Sequence, residues 1–324
     1  STPKPSSAAS DVYKRQILLV MPAIKPNASL YEKLLLKLTM WSSITSQQLS
    51  ALTDDKHEVK IIDENYEKIR HDGNYDLVAI STFTSTAFRA YEIADKFREK
   101  GTKVVLGGYH PTALPEEAKQ HADAVVIGEA ERAWPQLLRD FENGKLKPFY
   151  RMPVPPEEIS EPRRGLMSIE PLFSAVAPSR GCPYHCSFCT LTHLYGRVYK
   201  PRPLENVIRE IKNTPRKFLI FLHDASLTIN TDYAKALFRA MIPLKKKFIA
   251  YGSAPALLKD EELLRLSEKA GCVMWCIGFE TISQESLRSD ANKGYSVKSY
   301  EILVKKIRKH NINIFGSFVF GFDH

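Results

Sequence analysis

Short apolar segments alternate with longer amphipathic segments along the 324 residues, and this alternation constrains the fold more than any other feature. Strand-length apolar runs separated by helix-length segments indicate parallel sheets whose strands are joined by helices. In the first half, five runs of this kind predict a doubly wound parallel sheet. The predicted strands are residues 17–20, 59–63, 77–81, 103–108 and 124–129, and the predicted helices are 30–52, 87–100, 114–121 and 134–143.

The second half repeats the pattern in a new run of strand and helix units. Repeated units of this length predict a barrel of the β/α type, open or closed. The chain stops directly after the last predicted strand, so we expect this barrel to be partial and truncated at its C-terminal end. The predicted strands are residues 174–178, 217–223, 248–254, 273–280 and 312–321, and the predicted helices are 204–213, 232–244, 260–270 and 296–310.

Proline marks the boundary between the two halves. Residues 148–173 contain six prolines and show neither helical nor alternating periodicity, which predicts a linker over residues 151–173. The expected domains are therefore 17–150 and 174–324. Residues 1–16 begin with the low-complexity stretch STPKPSSAAS, and residues 11–16 back-translate to a sequence that resembles a transposon end used in library preparation. We expect this leader to be an artefact outside the fold.

Composition limits the class of protein. Hydrophobic residues make up 44% and charged residues 26%, and the longest apolar runs are too short to cross a bilayer, so we expect a soluble protein. Five cysteines without a secretory leader predict a reducing compartment, by default the cytoplasm. The net charge of +9 arises in residues 174–324, with 23 basic and 13 acidic residues. Lysines on solvated helix faces explain it better than a nucleic-acid partner does.

Three of the cysteines lie close together in GCPYHCSFC, residues 181–189. Cys182, Cys186 and Cys189 follow the first strand of the second domain, at the edge where parallel α/β folds bind ligands. Three thiolates can bind three irons of a [4Fe-4S] cluster and leave the fourth iron without a protein ligand. Phe188 could cover such a cluster. The alternative is a zinc site completed by His193 in a non-catalytic binding module.

GCPYHCSFC resembles the cluster-binding signature of the radical S-adenosylmethionine (SAM) superfamily, and the order of motifs over residues 174–324 is similar to that family as well. The resemblance implies that Cys182, Cys186 and Cys189 bind the cluster. It further implies that SAM binds the open iron and that an electron from an external donor cleaves it to a 5'-deoxyadenosyl radical.

The resemblance makes four other residues candidate contacts, namely Asp224, Gly278, Glu280 and Ser253. FLHDAS (221–226) stands where relatives show an acidic pair, so Asp224 is a candidate SAM or substrate contact, with His223 in place of the first acid. GFET (278–281) resembles a fourth-strand element, which makes Gly278 and Glu280 candidates for binding SAM. Ser253 lies in the third predicted strand of the second domain and is a further candidate for binding the cofactor. Cys272 and Cys276 lie in an apolar run and are expected to be buried.

The first domain resembles the cobalamin-binding, flavodoxin-like domain of B12-dependent radical SAM enzymes. Glycines at strand ends allow a flat, bulky corrin to approach the backbone. The D-x-H-x-x-G signature of the mutases is absent, and for His110 a turn role and a functional role both stay open. Residues 1–181 contain no cysteine for a second cluster, which argues against the tRNA methylthiotransferases. The candidate cobalamin contacts are Ser81, Thr82, Gly107, Gly108, Gly128 and Glu129.

The resemblance implies a cobalamin-dependent methyltransferase that acts on an unactivated carbon of a small-molecule substrate. Relatives whose B12 domain serves ring formation or rearrangement provide an alternative function.

Overall fold

The computed structural model describes residues 14–39, 43–151, 159–168, 172–191, 196–214, 219–291 and 293–323. Some predicted features lie outside the described residues. They are residues 1–13 of the leader, residues 152–158 and 169–171 of the linker, and His193, the alternative zinc ligand. The chain divides into two compact units. Unit 1 comprises Ser1–Pro26, Thr45–Met152 and Pro162–Ser168, and unit 2 comprises Asn27–Ile44, Pro153–Glu161 and Ile169–His324.

Unit 1 is built on a parallel sheet. Its described strands lie in the order β2-β1-β3-β4-β5-β6, which extends the flavodoxin-like order 2-1-3-4-5 by one strand. The sixth strand was not predicted, because three residues are too few to show an alternation. The strands are β1 (Gln16–Met21), β2 (Glu58–Asp63), β3 (Leu77–Ser81), β4 (Lys103–Gly107), β5 (Ala124–Ile127) and β6 (Phe149–Arg151).

Helices pack on both faces of this sheet. One face is buried with Phe97 and the other with Trp134, as expected for strands that are apolar on both sides. The predicted helix 30–52 is described as two helices, and the first of them belongs to unit 2. That first helix is α1 (Leu30–Thr39), and the helices of unit 1 are α2 (Ile44–Ala51), α3 (Ala87–Glu99), α4 (Tyr109–Ala113), α5 (Pro115–Gln120) and α6 (Ala130–Glu142).

Unit 2 contains a second parallel sheet, whose described strands follow one another in chain order, β7-β10-β11-β12-β13. Strands added successively in one direction are typical of a β/α barrel. A short antiparallel pair, β8 with β9, follows β7. The strands are β7 (Phe173–Val176), β8 (Ser179–Arg180), β9 (Lys200–Pro201), β10 (Leu219–Leu222), β11 (Phe248–Tyr251), β12 (Cys272–Glu280) and β13 (Asn313–Phe318).

The helices of unit 2 cover one face of this sheet. Trp275, Phe238 and Phe248 are the largest side chains that are fully buried in the resulting core. No helix among the described residues combines the length and apolar character that a bilayer crossing requires. The helices are α7 (Leu204–Asn213), α8 (Thr231–Met241), α9 (Ala254–Lys259), α10 (Glu261–Ala270), α11 (Gln284–Ser289) and α12 (Ser299–Lys309).

Candidate functional site

The three clustered cysteines occupy one loop of unit 2, between β8 and β9. All three are partly exposed, and the backbone N–H of Cys189 donates to the carbonyl of Cys186 at 3.1 Å. Ser187 ties the loop to the segment after α11, because its N–H and its Oγ both donate to the carbonyl of Asp290, at 3.1 and 2.8 Å. The loop is therefore held from two sides.

Gly181 starts this loop in a backbone conformation that favours glycine. Its φ is +78°, and a Cβ at this position would lie 1.9 Å from the carbonyl oxygen of Val198. A side chain has no room at this crossing, because the obstacle is backbone. Glycine before the first cysteine thus lets the loop pass close to the segment that leads into β9.

The thiols lie close enough together for their charges to interact. Burial raises the pKa of Cys182 and Cys186, and a negative charge on Cys189 would raise both further, whereas Lys293 acts in the opposite direction. Within the described ranges, no three His, Cys, Asp or Glu side chains are arranged around a single metal ion. In a [4Fe-4S] cluster each thiolate binds a different iron, so the thiolates need not converge on one point. Three free, partly exposed thiols on one loop supply the sulfur donors that such a cluster needs, so the donor set fits it.

Asp224 lies deep beside this loop. The residue is 6% exposed, and its carboxylate accepts hydrogen bonds from Ser179 Oγ at 2.5 Å and from the N–H of Ser226 at 3.1 Å. Burial raises its pKa, although these hydrogen bonds oppose the shift. The bonds link β8 to the loop after β10. A contact of Asp224 with SAM or substrate stays a prediction.

The remaining predicted contacts of unit 2 are placed at the carboxyl ends of its strands or in the cysteine loop. The N–H of Ser253 donates to Thr228 Oγ1 at 2.8 Å, and the two hydroxyls lie 3.0 Å apart, so this serine fixes the loop after β11. Phe188 is 39% exposed, and its ring centroid lies 5.8 Å from that of Phe322. This contact joins the cysteine loop to the segment after β13.

Lys293 is a residue that the sequence did not single out. Its Nζ donates to the carbonyl of Gly278 at 2.8 Å and to Glu280 Oε1 at 2.6 Å. Glu280 has a φ of +65°, and the register of β12 against β13 shifts between Gly278 and Glu280. The bulge and the lysine together fix the Glu280 carboxylate at the end of β12. Glu280 also lies near enough to Cys186 to raise the pKa of that thiol.

Replacing Lys293 with methionine should destabilise unit 2 by about 1–3 kcal/mol, because a largely buried carboxylate and a carbonyl lose their shared donor. Thermal unfolding measures this loss. The double variant with Glu280→Gln should recover part of it, and Lys298→Met, an exposed lysine nearby, should have little effect. Equal destabilisation by both lysine variants would contradict the assigned pair.

In unit 1, the predicted cobalamin contacts follow β3, β4 and β5 at their carboxyl ends. The N–H of Thr82 donates to the carbonyl of Gly107 at 3.0 Å, which holds the ends of β3 and β4 together. The Thr82 side chain is buried, and its hydroxyl forms a hydrogen bond of 2.8 Å with Thr86 Oγ1. Thr82 therefore stabilises this edge from within the protein. Ser81 is half-buried as the last residue of β3, and Glu129 directly precedes α6.

The same edge offers open space for a flat group. Gly128 has a φ of +84° and no atom within 4 Å of the position that a Cβ would take. The rings of Phe83 and Tyr109 stack at 5.4 Å with an 18° interplanar angle, and Phe83 is 60% exposed. An open glycine after β5 and a partly exposed aromatic pair after β3 and β4 lie at the same edge of the sheet, which fits a planar macrocycle that approaches the backbone closely.

His110 is part of a buried hydrogen-bond network rather than of this open edge. Its Nδ1 lies 3.2 Å from Thr84 Oγ1, and its Nε2 lies 3.0 Å from the Tyr91 hydroxyl and 3.2 Å from Glu117 Oε1. Both ring nitrogens are thus occupied. The network ties the loop after β3 to α4 and α5, which favours the turn role over a ligand role.

Replacing Gly108 with alanine should release most of the cobalamin that unit 1 is predicted to bind. Gly108 has a φ of +102°, and an added Cβ would lie 2.7 Å from the carbonyl oxygen of Thr82. If binding has to overcome strain of about 1–3 kcal/mol at the edge, the affinity falls by about 5- to 150-fold. Cobalamin absorbance after gel filtration measures the effect. Gly144→Ala is the matched control, because its φ is +66° but nothing lies within 4 Å. Retention in Gly108→Ala equal to that control would contradict the placement.

Comparison with known families assigns both units. The model of the radical SAM superfamily matches residues 176–324, and the model of the B12 binding domain matches residues 45–138. Bacteriochlorophyllide d C-8(2)-methyltransferase of Chlorobaculum tepidum is 35% identical over 84% of this chain and 65% of its own length. The C-12(1)-methyltransferase of the same organism is 30% identical over 98% of this chain and 71% of its own length. The chain thus spans about two thirds of the length of these relatives.

Solved structures show the same fold. TsrM from Kitasatospora setae, a radical SAM methyltransferase solved with cobalamin and a [4Fe-4S] cluster, has a TM-score of 0.76 at 18% identity and covers 95% of this chain and 70% of its own. OxsB, a cobalamin-dependent SAM radical enzyme, has a TM-score of 0.73 at 17% identity over 95% of this chain and 49% of its own.

These matches confirm the predicted fold class, which is a doubly wound sheet followed by a radical SAM barrel. They also confirm the predicted cofactors, because a [4Fe-4S] cluster, SAM and cobalamin are those of the two families. The chain belongs to the radical SAM enzymes that carry a B12-binding domain.

Proposed function

We propose that this chain forms the cofactor-binding part of a cobalamin-dependent methyltransferase that transfers a methyl group to an unactivated carbon. The observation that carries the proposal is the cysteine loop of unit 2, where three mutually interacting thiols face Lys293 and Glu280. The open, glycine-lined edge of unit 1 supports it, and the two relatives at 35% and 30% identity are methyltransferases by name.

Each site residue then has a task. Cys182, Cys186 and Cys189 hold the cluster, and Gly181 allows their loop to close. Gly278 and Glu280 bind SAM, with Lys293 fixing the carboxylate, while Ser253 and Asp224 shape the neighbouring loops.

In unit 1, Gly107, Gly108 and Gly128 bring the backbone close to the corrin, and Ser81, Thr82 and Glu129 complete the edge. When bound, the cofactors supply one-electron cleavage of SAM and a transferable methyl group. The protein contributes position and exclusion of water. The three thiols, partly exposed in the free chain, become the ligands that bring the cluster to the carboxyl ends of the strands.

The proposed substrate class is a metal-containing tetrapyrrole. Both methyltransferase relatives act, by name, on bacteriochlorophyllide d. Two further relatives, each 25% identical, are anaerobic magnesium-protoporphyrin IX monomethyl ester cyclases. A planar apolar substrate also agrees with the partly exposed Tyr251 ring at the end of β11, which packs edge to face on the buried Phe221 ring at 5.4 Å.

Methyl transfer and ring closure are separated by a labelling experiment. The reconstituted protein is incubated without oxygen with SAM labelled in its methyl group, a chemical reductant and bacteriochlorophyllide d. The proposal predicts label in the macrocycle. Ring closure, the activity named for the cyclase relatives, would give an unlabelled product that has lost hydrogen.

The remaining expectations concern the surroundings of the enzyme. We propose an external electron donor, because the cluster needs an electron for each cleavage of SAM. A reducing compartment such as the cytoplasm suits five cysteines that include no disulfide among the described residues. A small-molecule substrate agrees with the methyltransferase relatives.

A further inference from the structure

One histidine of unit 2 occupies a position that no cofactor role explains. His223 directly follows β10 at the carboxyl end of the sheet. Ile220 and Leu222 of that strand are buried among the covering helices, so Phe221 and, by alternation, His223 face the opposite side. We call this side of the sheet, which those helices do not cover, the inner face.

The inner face is closed at its floor and open at its mouth. Ala175, Phe221 and Cys276 are 1%, 4% and 7% exposed, and the strand registers place them on the same face. At the carboxyl ends, His223 is exposed and Tyr251 is 36% exposed. The Phe221 ring lies between them, 5.6 Å from the imidazole and 5.4 Å from the Tyr251 ring, edge to face with each.

The surroundings of this exposed imidazole favour its neutral form. Crowding by protein atoms lowers the pKa of His223, and the positive charge of Arg180 lowers it further. Among the described residues, no group hydrogen-bonds to the ring nitrogens of His223, so its lone pair is available. A neutral imidazole is the commonest metal ligand in proteins.

We propose that His223 is the axial ligand of the central metal of the substrate macrocycle. The inference rests on the proposed function, since it assumes a metal-containing tetrapyrrole. Such a ring occupies four positions around its metal with its own nitrogens and leaves an axial position for a protein ligand, as haem does for histidine. Tyr251 supplies partly exposed aromatic surface near the imidazole, and the buried Phe221 ring packs edge to face against both, which suits a flat macrocycle.

An axial ligand differs from a general contact, because its contribution to the binding affinity depends on the metal and not on the ring. The test compares zinc protoporphyrin IX with metal-free protoporphyrin IX on the full chain carrying its cluster and cobalamin, without oxygen. Fluorescence titration gives the affinities, and the excitation spectrum reports the coordination of zinc without interference from the other cofactors.

We expect the wild-type chain to bind the zinc form more tightly than the metal-free form, with a red-shifted Soret excitation band. His223→Ala should weaken binding of the zinc form by about tenfold or more, abolish the shift and leave the metal-free form unaffected. Imidazole added to the buffer should restore the shift. His223→Asn, which keeps a polar side chain of similar size, should behave like the alanine variant, so a folding defect of one variant does not decide the test.

Tyr251→Phe is the control, because it keeps the aromatic surface and should keep the preference for zinc. Equal binding of both macrocycles to the wild type, or an unchanged zinc affinity in both His223 variants, would overturn the axial ligand and leave the tetrapyrrole substrate standing. If neither macrocycle binds, the proposed substrate class is wrong, and the axial role is wrong with it.

Discussion

Replacing Cys186 with alanine is expected to abolish cluster assembly and reductive cleavage of SAM, and to leave cobalamin retention largely intact. Two thiolates hold only two corners of the cluster, and an iron without a protein ligand at a second corner is lost to solvent. Iron and sulfide per chain after anaerobic reconstitution should fall to near zero. Formation of 5'-deoxyadenosine should fall with them, whereas the corrin absorbance should persist.

Cys272→Ala is the matched control for this loss. Cys272 lies at the amino end of β12, is 6% exposed and packs in the core beneath the helices, where burial raises the pKa of its thiol. Its replacement should leave the iron content unchanged. Full iron in Cys186→Ala would remove that cysteine from the ligand set. Loss of cobalamin together with iron would contradict the assignment of the two cofactors to separate units.

Replacing Gly181 with alanine is expected to impair cluster assembly nearly as severely, although the variant keeps all three thiols. The Cβ would approach the carbonyl oxygen of Val198 to 1.9 Å, where real contacts essentially never fall below 3.0 Å. The cysteine loop or the strand pair β8–β9 must therefore move. The φ of +78° adds about 1–2 kcal/mol of its own for any residue with a side chain.

Gly196→Ala separates these two costs. Gly196 has nearly the same φ, +74°, but nothing lies within 4 Å of its Cβ position, so alanine there carries the backbone cost alone. Iron content and thermal unfolding should be close to wild type in Gly196→Ala and strongly reduced in Gly181→Ala. Equal iron content in the two variants would show that the geometry of the loop does not control cluster binding.

The sequence predicted those features that depend on local periodicity and spacing. Buried parallel strands appear as apolar runs, so each run quoted for the two sheets corresponds to a strand, with shifts of a few residues at the ends. The apolar run before Cys182, Cys186 and Cys189 placed the cysteine loop after the first strand of unit 2. Glycines with positive φ, such as Gly108 and Gly128, mark the edge of unit 1.

Contacts between distant segments could not be predicted. Lys293 reaches Glu280 only because the chain turns back after α11, and no periodicity relates the two positions. The bonds from Ser187 to the carbonyl of Asp290 involve backbone, which carries no sequence signal. The functional roles of the site residues stay predictions. The structure shows which residues lie next to them. For His223, the sequence showed only a departure from an acidic pair, whereas the inner face shows where its ring lies.

The most direct test of the central claim, that three thiolates hold a cluster with one open iron, is the electron paramagnetic resonance spectrum of the reduced protein before and after addition of SAM. We expect four irons and four sulfides per chain and a spectrum that changes when SAM binds. A protein that contains one zinc without sulfide, or a cluster whose spectrum is indifferent to SAM, would contradict it.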